Sequence, residues 1–514
     1  MPGAAGLREK RRTRQGRWLR PSQRCARLSL REGDADPQAR QQGETDRSLM
    51  AVDTPGAFHV ANIAKWRRCR DFMAGADAVK AAGAEYAPRP SGLDDGEFKG
   101  YLMRGTFFNA TQRTVDSLIG LVMAKPPAVD MPASLEEMTW DFDGAGSTAE
   151  DYARDAVADV LTVGGGCAVV DRPTRPAGIV TRDQERQAGL RPYATWYPIE
   201  SVLDWRYGTV NGKRELVFLR LNETWTEIID EWDEEIHQQI RVFDLLDDQA
   251  RCRVFRKAAS GMWEVYQETM LIKDNGQPWQ YVPAVMFGPV KNEPEKSPIL
   301  DLVEINRGHW QNSVDLEHGL HFTGLPTAYV AGHTFEDGEE VRLGSKTLFA
   351  FDDPNAKLAF ASFGSEGLAG LEKAMERKEQ QMAALGARML LPEGAAAESG
   401  EALAIRRGGE NSALGKLADS VSRSMELLIE TMAEWEGNPE AVSYRLNTDY
   451  LPNAITAQEL TAAISAVDRG LMSQQEFFDM LKAGGLVRDD KTYEEHAEET
   501  LGMGDAPLDG KEPE

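Results

Sequence analysis

The sequence has little that would fit a secreted, membrane-bound or disulfide-linked protein. Its four cysteines, Cys25, Cys69, Cys167 and Cys252, are far apart and form no CxxC pair, which argues against a zinc site or a disulfide framework. No apolar run approaches the roughly 20 residues of a membrane-spanning helix. Residues 1–20 are basic but lack the apolar centre of a secretory signal. A protein of a reducing cytosol, without a membrane segment, is therefore expected.

The common catalytic motifs are also missing, since the chain contains no GxGxxG, GxSxG or HExxH. Gly415-Lys416 resembles the end of a Walker loop, but Glu410 stands where the loop needs its first glycine. Leu417 replaces the required serine or threonine. We therefore predict that the protein is not an enzyme, has no catalytic residues and needs no cofactor.

Three local patterns leave other chemistry open. Acidic residues of 230–235 precede His237 and are interpreted as a solvated loop, with a metal-dependent hydrolase that uses Asp230 and Asp233 as the alternative. Glu317, His318 and His321 are interpreted as a polar helix face, because no third ligand for half a metal site lies near them in sequence. The glycines of 164–166 follow a helix and precede a strand, which indicates a tight turn and not a phosphate loop.

The charge balance is strongly acidic but uneven. Residues 1–49 hold twelve Arg or Lys against six Asp or Glu, a net +6 within a chain of net charge −25, so the remainder carries −31. An acidic body argues against binding nucleic acid by neutralising phosphates. We expect the basic segment to be a disordered tail. A nucleic-acid-binding arm is one alternative, and a true start at Met50 is the explanation we favour.

The most informative stretch is 297–437, where three long helices are predicted. Ser297 and Pro298 open a helix to about 321, which is followed by short β-prone runs within 322–364. A second helix covers 365–391 and is stopped by Pro392. After a segment rich in Ala, Gly and Glu, a third helix begins at Ser412 with a continuous apolar stripe. Two long helices that bracket a small insert suit a protein that spans a distance, and an ordinary helical subdomain with a β-hairpin excursion is the alternative on pattern alone.

The regions on either side have simpler patterns. Helices are predicted at 61–84, 100–123 and about 148–163, and seven short strand-like runs fall within 191–290. A further β run covers 441–450. Three capping boxes, which begin at Thr456, Ser473 and Thr492, predict a small three-helix unit at 453–503.

Several strings resemble portal proteins of tailed bacteriophages and prophages. They are GYLMRGTFFNATQRTV at 100–115 with KPP at 125–127, GGGCAVVDRP at 164–173, RPY at 191–193 with DWR at 204–206, the helix 306–321, and QMAALGAR at 381–388. The resemblance covers about 55–503. It rests on many such strings and on the order helix, insert, helix, loop, helix.

The resemblance implies a multidomain α+β portal fold. Its parts would be a disordered basic tail at 1–50, an α/β wing at 51–296, a first stem helix at 297–321, a small α/β clip at 322–364, a second stem helix at 365–391, a tunnel loop at 392–411, a wing helix and strand at 412–452, a helical crown at 453–503 and a disordered tail at 504–514. Residues 1–49 have no counterpart in the portal plan.

The resemblance also implies a function. Portal proteins form a ring, usually of twelve subunits, at one capsid vertex, through which DNA enters in packaging and leaves in ejection. Implied partners are other copies of the chain, the large terminase subunit, the head–tail adaptor, the major capsid or scaffolding protein, and double-stranded DNA that passes through the channel without sequence specificity. The protein would lie in the virion after assembly in the host cytoplasm. A different virion structural protein, capsid-associated or part of the tail, is the alternative.

Candidate site residues follow from the same plan. In the tunnel loop they are Glu393, Glu398, Glu401, Arg406, Arg407 and Glu410. In the clip, which would meet the terminase and the adaptor, they are Phe335, Glu336, Asp337, Glu339, Glu340 and Arg342. A channel lined with carboxylates would repel the duplex, whereas the two arginines would contact phosphates transiently. No metal site is expected.

Overall fold

The computed structural model describes residues 51–173, 178, 184, 188–325, 327–332, 354–361, 365–390, 412–437, 442–450, 457–483, 486–487 and 491–502. In these ranges the chain is a mixed α+β protein, and all of its paired strands are antiparallel. This confirms the α+β class at its coarse level.

The described helices alternate with sheets along the chain. They are α1 (Ala57–Ala74), α2 (Ala76–Ala81), α3 (Asp95–Arg104), α4 (Ala110–Val122), α5 (Ala133–Glu136), α6 (Ala149–Val163), α7 (Leu300–Gly324), α8 (Ser365–Arg388), α9 (Ala413–Trp435), α10 (Ala457–Asp468), α11 (Gln474–Ala483) and α12 (Tyr493–Gly502). Among them, no helix is both long enough and apolar enough to cross a membrane.

The strands form four sheets. Their ranges are β1 (Ala128–Asp130), β2 (Gly166–Asp171), β3 (Tyr193–Pro198), β4 (Val202–Val210), β5 (Lys213–Ile228), β6 (Glu234–Leu246), β7 (Gln249–Lys257), β8 (Trp263–Met270), β9 (Ala284–Phe287), β10 (Thr327–Ala331), β11 (Lys357–Ala361) and β12 (Ser443–Arg445). Strands β4 to β8 make a five-stranded meander, and β2 lies between β3 and β9. Two-stranded sheets pair β1 with β12 and β10 with β11.

Helix α9 lies in the core of the protein. Ser412 caps it, because the Ser412 hydroxyl accepts a hydrogen bond from the Gly415 amide at 2.9 Å. The helix packs against β9, β12 and α6. The apolar stripe predicted from its sequence is fully or almost fully buried: Leu414, Leu417, Val421, Met425, Leu428, Met432 and Trp435. The third long helix is therefore confirmed, with the predicted start.

Two of the predicted single helices are each divided into two. The predicted helix at 61–84 ends at Gly75, whose φ of +96° a residue with a Cβ rarely adopts, and α2 begins directly after it. The predicted helix at 100–123 breaks between Arg104 and Ala110. Asn109 then caps the second part, since its side chain accepts a hydrogen bond from the Gln112 amide.

The glycines of 164–166 form a tight helix-to-strand turn, as predicted. Gly164 has a left-handed φ of +86°, and a Cβ there would lie only 2.3 Å from the Glu295 carbonyl oxygen. A Cβ on Gly165 would lie 2.7 Å from the Phe287 carbonyl oxygen. The chain's own backbone therefore fills the space beside these glycines.

The acidic segment 230–235 is exposed, as its sequence predicts, and residues 230–233 form a turn. It is the tip of a hairpin, in which Glu234 and Glu235 belong to β6 and pair with Ile228 and Glu227 of β5. The turn itself holds Asp230, whose carboxylate accepts a hydrogen bond from the Trp232 amide at 2.8 Å. Glu227 and Glu235 are directly opposed in this pairing, and His237 Nε2 lies 3.0 and 3.8 Å from their carboxylate oxygens.

Two of the three predicted capping boxes are present at the C-terminal helices. Ser473 and Glu476 exchange backbone-to-side-chain hydrogen bonds of 2.8 and 3.1 Å before α11. Thr492 and Glu495 do the same before α12, at 3.1 and 3.3 Å. Thr456, which begins the third predicted box, lies outside the described residues.

Candidate functional site: the paired long helices and their terminal sheet

All of the individual site residues predicted from the portal resemblance lie outside the described residues. This applies to the tunnel-loop residues Glu393, Glu398, Glu401, Arg406, Arg407 and Glu410, and to the clip residues Phe335, Glu336, Asp337, Glu339, Glu340 and Arg342. The helices on either side of these segments are described, and they make up the candidate site.

Helix α7 is fixed to the rest of the chain by polar bonds inside an apolar contact. The Asn306 side chain accepts a hydrogen bond from the Thr111 hydroxyl at 2.9 Å and donates one to the Phe108 carbonyl oxygen at 2.9 Å. Two turns further on, the Ser313 hydroxyl donates to the Thr106 carbonyl oxygen at 2.7 Å. Both side chains are buried, so these bonds satisfy groups that would otherwise be costly to bury.

Close packing adds to this attachment. A Cβ on Gly105 would lie 2.8 Å from both Trp310 and Val314, which are fully buried. Glycine at 105 therefore lets the chain between α3 and α4 approach α7 closely. The need for this approach explains why the predicted single helix is interrupted at this point.

The attachment continues toward the far end of α7. The Tyr101 hydroxyl donates a 2.6 Å hydrogen bond to the Asp315 carboxylate, and burial together with this bond raises the pKa of Tyr101. Beyond it, Arg104 is hydrogen-bonded to His321 at 3.3 Å. Burial lowers the pKa of His318, and the positive charge of Arg104 adds to that effect. Within the described residues, no group of three His, Cys, Asp or Glu side chains could hold a metal ion.

Helices α7 and α8 lie antiparallel along most of their length. At one end Leu302 packs with Met382, and in the middle His309 Nε2 lies 3.0 Å from Glu379 Oε1. At the other end a Cβ on Gly319 would lie 2.5 Å from Leu368. At 1.5 Å per residue the two helices are about 38 and 36 Å long. Both long helices are confirmed, although α7 extends three residues beyond the predicted end. Its predicted start is wrong: α7 begins at Leu300, and the Ser297 hydroxyl does not cap it but donates to the Thr162 carbonyl oxygen at 2.7 Å.

The two helices differ in how much of their surface is covered. Helix α7 is buried on several sides by α3, α4, α1 and α8. Helix α8 turns one stripe toward α7, and Met382 is its one buried side chain among those described. Its other faces are exposed and carry Glu372, Lys373, Glu376, Arg377, Gln380, Gln381, Ala383, Ala384, Ala387 and Arg388. Because both signs of charge occur here, α8 does not present the purely carboxylate surface expected of a repelling channel.

A small sheet lies at the far end of the helix pair. Strand β10 follows α7 and β11 precedes α8, and the two pair over five residues each. Tyr329 and Phe360 are half-exposed. They alternate across the ribbon, because Tyr329 pairs with Ala359 whereas Phe360 pairs with Ala328. The sheet thus presents an aromatic side chain on each face.

The sequence analysis missed one group of exposed residues. Trp232 is 88% exposed at the tip of the β5–β6 hairpin, and Ile228 and Ile236 are more than 70% exposed beside it. A tryptophan between acidic residues was the available signal.

Comparisons with known proteins bear on the same segment. Residues 298–436, from just before α7 to just after α9, match a family described as a domain of unknown function, DUF4055. Among curated proteins, nothing matches the chain.

Three solved structures from gene transfer agent (GTA) particles are similar to 78% of this chain, each at 12% identity. One is the virion of the native particle, with 98% of that chain covered and a TM-score of 0.36. The others are the neck of the empty particle computed with C6 symmetry and the neck of the native particle computed with C12 symmetry, with 97% covered and TM-scores of 0.36 and 0.34.

Proposed function

We propose that this chain is a phage-type virion structural protein of the portal kind, which forms a ring around a DNA channel. One observation carries the proposal. Helices α7 and α8 form an antiparallel pair about 36 Å long, and the pair ends in a separate two-stranded sheet. One stripe of α8 is covered, and its other described faces are exposed. The helix α8 is too long and too exposed to be explained by packing within the subunit. Contacts with neighbouring copies, or with a channel, would account for its free faces.

The order of elements supports the same reading. Helix α7, the small sheet, α8 and the buried α9 follow one another as stem, clip, stem and wing helix do in the portal resemblance. In this proposal the segment between β10 and β11 meets the large terminase subunit and the head–tail adaptor. Residues 392–411 face double-stranded DNA, and the capsid or scaffolding protein meets the outside of the ring. The protein acts as a conduit and docking platform, without catalysis.

The test is the assembly state of the purified chain. We expect closed rings with a central hole by negative-stain electron microscopy, and a mass close to that of a twelve-subunit ring by native mass spectrometry. Particles without a central hole would instead favour another virion component. A monomer at every salt and protein concentration would contradict the proposal.

A matched pair of variants tests the role of α8. Ala384→Glu adds a charge to the exposed face of α8, where we expect at least tenfold weaker assembly if neighbouring subunits pack there. Ala259→Glu makes the same chemical change at an exposed turn before β8 and is the control. Equal assembly of both variants would show that the α8 face is not a subunit contact.

A further inference from the structure

The β5–β6 hairpin projects beyond the sheet to which it belongs. Strand β4 pairs with β5 only as far as Leu221, and β7 pairs with β6 only from Gln239 onward. Residues 222–228 and 234–238, here called the ribbon, therefore pair with each other and with no third strand among the described residues. A two-stranded ribbon is marginally stable by itself, so its order depends on its own cross-strand side-chain pairs.

The ribbon carries much negative charge. The nine residues 227–235 hold six carboxylates and no Lys or Arg. Glu227 and Glu235 are directly opposed on the paired strands, an arrangement that destabilises a pair of strands when both side chains are charged. Between Arg220 and Arg241, His237 is the one side chain that can carry a positive charge. Compensation of this opposed pair from within the ribbon therefore falls to a titratable group.

The imidazole of His237 lies against both carboxylates. Directly paired residues share a face of the ribbon, so Trp225, Glu227, Glu235 and His237 all project from one face. His237 Nε2 lies 3.0 Å from Oε2 of Glu227 and 3.8 Å from Oε2 of Glu235. This nitrogen is buried and lacks the alignment of a hydrogen bond to either oxygen. The contact is therefore one between charges, and its attraction requires a protonated ring.

Aromatic stacking holds the imidazole in this place. The rings of His237 and Trp225 stack with their centroids 4.9 Å apart and an angle of 28° between their planes. The Arg256 guanidinium lies 3.9 Å from the Trp225 ring and 3.8 Å from the Tyr266 ring, and it donates a 3.1 Å hydrogen bond to Gln239. The stack thus joins the ribbon to β7 and β8, where the sheet has further strands.

The charges near His237 come from all four strands. They are Glu223 and Glu227 of β5, Glu235 and Arg241 of β6, Arg256 of β7 and Glu264 of β8. Arg241 binds Glu223 at 2.7 Å, and Glu264 is paired with Arg256. The side chains of Glu227 and Glu235 are 49% and 65% exposed, and they are the carboxylates in contact with His237. Its protonation therefore acts first on the opposed pair.

We infer that His237 is a pH-sensitive clamp that holds the outer part of the β5–β6 hairpin together. Histidine side chains change charge between pH 5 and 8, and glutamates are ionised above about pH 5. Near pH 5.5 the charged ring compensates the opposed pair, and the strands pair as far as the turn. As the pH rises toward 8 the ring loses its charge, Glu227 and Glu235 repel each other, and the ribbon opens more often.

The clamp controls how the apolar side chains of the tip are presented. Ile228 and Ile236 lie on the face opposite His237, since Thr226 pairs with Ile236 and Ile228 pairs with Glu234. Trp232 follows in the turn and is 88% exposed. At low pH these side chains are held in one arrangement by the paired strands. At high pH they are spread over many conformations.

Hydrogen exchange of the full chain tests the clamp. We expect peptides of 222–238, corrected for the intrinsic pH dependence of exchange, to exchange about threefold faster or more at pH 8 than at pH 5.5. Peptides of 239–246, which β5 and β7 flank, should exchange equally at the two pH values and are the internal control. Equal corrected rates in the ribbon at both pH values would overturn the inference.

Two substitutions at one position separate charge from stacking. His237→Arg keeps a positive charge at every pH and can stack on Trp225, so the ribbon should exchange slowly at both pH values. His237→Phe keeps an aromatic ring without charge, so the ribbon should exchange rapidly at both. A pH transition that persists in His237→Phe would show that another group titrates and would overturn the inference.

A matched pair of double variants tests the carboxylates. Glu227→Gln with Glu235→Gln removes the opposed pair, so the ribbon should exchange slowly at both pH values. Glu231→Gln with Glu234→Gln removes the same number of charges from the turn and from the opposite face, and it should leave the pH transition in place. Loss of the transition in this second variant would assign it to the total charge of the hairpin and overturn the role of His237.

Discussion

His309 on α7 is bonded to Glu379 on α8, with 3.0 Å between Nε2 and Oε1. The histidine side chain is 2% exposed, whereas the glutamate is 46% exposed. Nε2 donates to the carboxylate, so a partly solvated acid satisfies one nitrogen of a buried imidazole. The bond lies midway along the pair and fixes α8 to α7 between the contacts of Leu302 with Met382 and of Gly319 with Leu368.

Loss of this acceptor should loosen α8. In Glu379→Ala the imidazole of His309 remains buried without its partner, which costs about 1–3 kcal/mol of the free energy of unfolding. Urea unfolding should show a lower midpoint, and hydrogen exchange should become faster in 365–388. Glu376→Ala, an exposed position on the same helix, is the control. Equal unfolding midpoints for the two variants would mean that the bond contributes nothing to stability.

Gly105 should not tolerate a side chain. In Gly105→Ala the new methyl group would lie 2.8 Å from Trp310 and Val314, both fully buried, so either α7 or the chain before α4 must shift. Overpacking of this kind costs about 1–3 kcal/mol. In Gly120→Ala the methyl group meets nothing within 4 Å, and a gain of about 0.5–1 kcal/mol is expected within α4. Thermal unfolding of both variants measures these changes in stability. A Gly105→Ala protein as stable as the parent would refute the close contact.

The described cysteines should be unreactive in the folded protein. Burial raises the pKa of Cys69 and of Cys252 to about 11 in each case, and raises that of Cys167 further. At pH 8 almost no thiolate forms, so iodoacetamide should label these peptides slowly in buffer and rapidly in urea. Mass spectrometry of the labelled peptides measures this, and equal rates in buffer and in urea would contradict the burial.

The same pKa shifts make stability depend on pH in a defined direction. Because the folded pKa is above the ordinary value of 9.0, the thiol keeps its proton longer in the folded chain. The contribution of these buried thiols to the free energy of unfolding is complete below about pH 9 and is lost as the pH rises toward 11. Urea midpoints should therefore fall over that interval, and by less in a Cys69→Ala, Cys252→Ala protein.

Arg406 and Arg407 are expected to affect DNA and not folding. Under the proposed function they lie in the segment that faces the duplex and form short-lived phosphate contacts. Replacing both with alanine should leave ring formation intact and change the amount of protected DNA per particle. Normal packaging and retention would remove this role from them, whereas failed assembly would assign the segment to a subunit interface.

The long helices were predictable because each has an apolar stripe along its length, and α9 also has a clear signal at its start, whereas the predicted cap Ser297 does not cap α7. In α9, Ser412 predicted the start and is the cap. The regularly spaced leucines and methionines predicted the stripe and form the buried face. The turn at Gly164 was also predictable, since glycines between a helix and a strand have few other uses. In these cases local sequence and tertiary packing favour the same structure.

The breaks and the ribbon could not be predicted in the same way. Gly105 interrupts a helical pattern because Trp310, two hundred residues later, needs the space, and no local signal records that contact. Strands β5 and β6 run far beyond the short strand-like runs predicted within 191–290, because the outer part of their hairpin has no buried face and hence no alternating pattern.

The bonds of α7 to its surroundings also bear on how force would travel through the molecule. Asn306, Ser313 and Asp315 hold the helix at three points within about 14 Å of its length. Sliding α7 by one turn, about 5.4 Å, would break all three bonds at once. Helix α7 is therefore rigidly attached to its surroundings along this segment. A mechanical force on the β10–β11 sheet is transmitted along α7 to α3 and α4. Helix α8 is held mainly by one stripe and is therefore the helix that can be displaced.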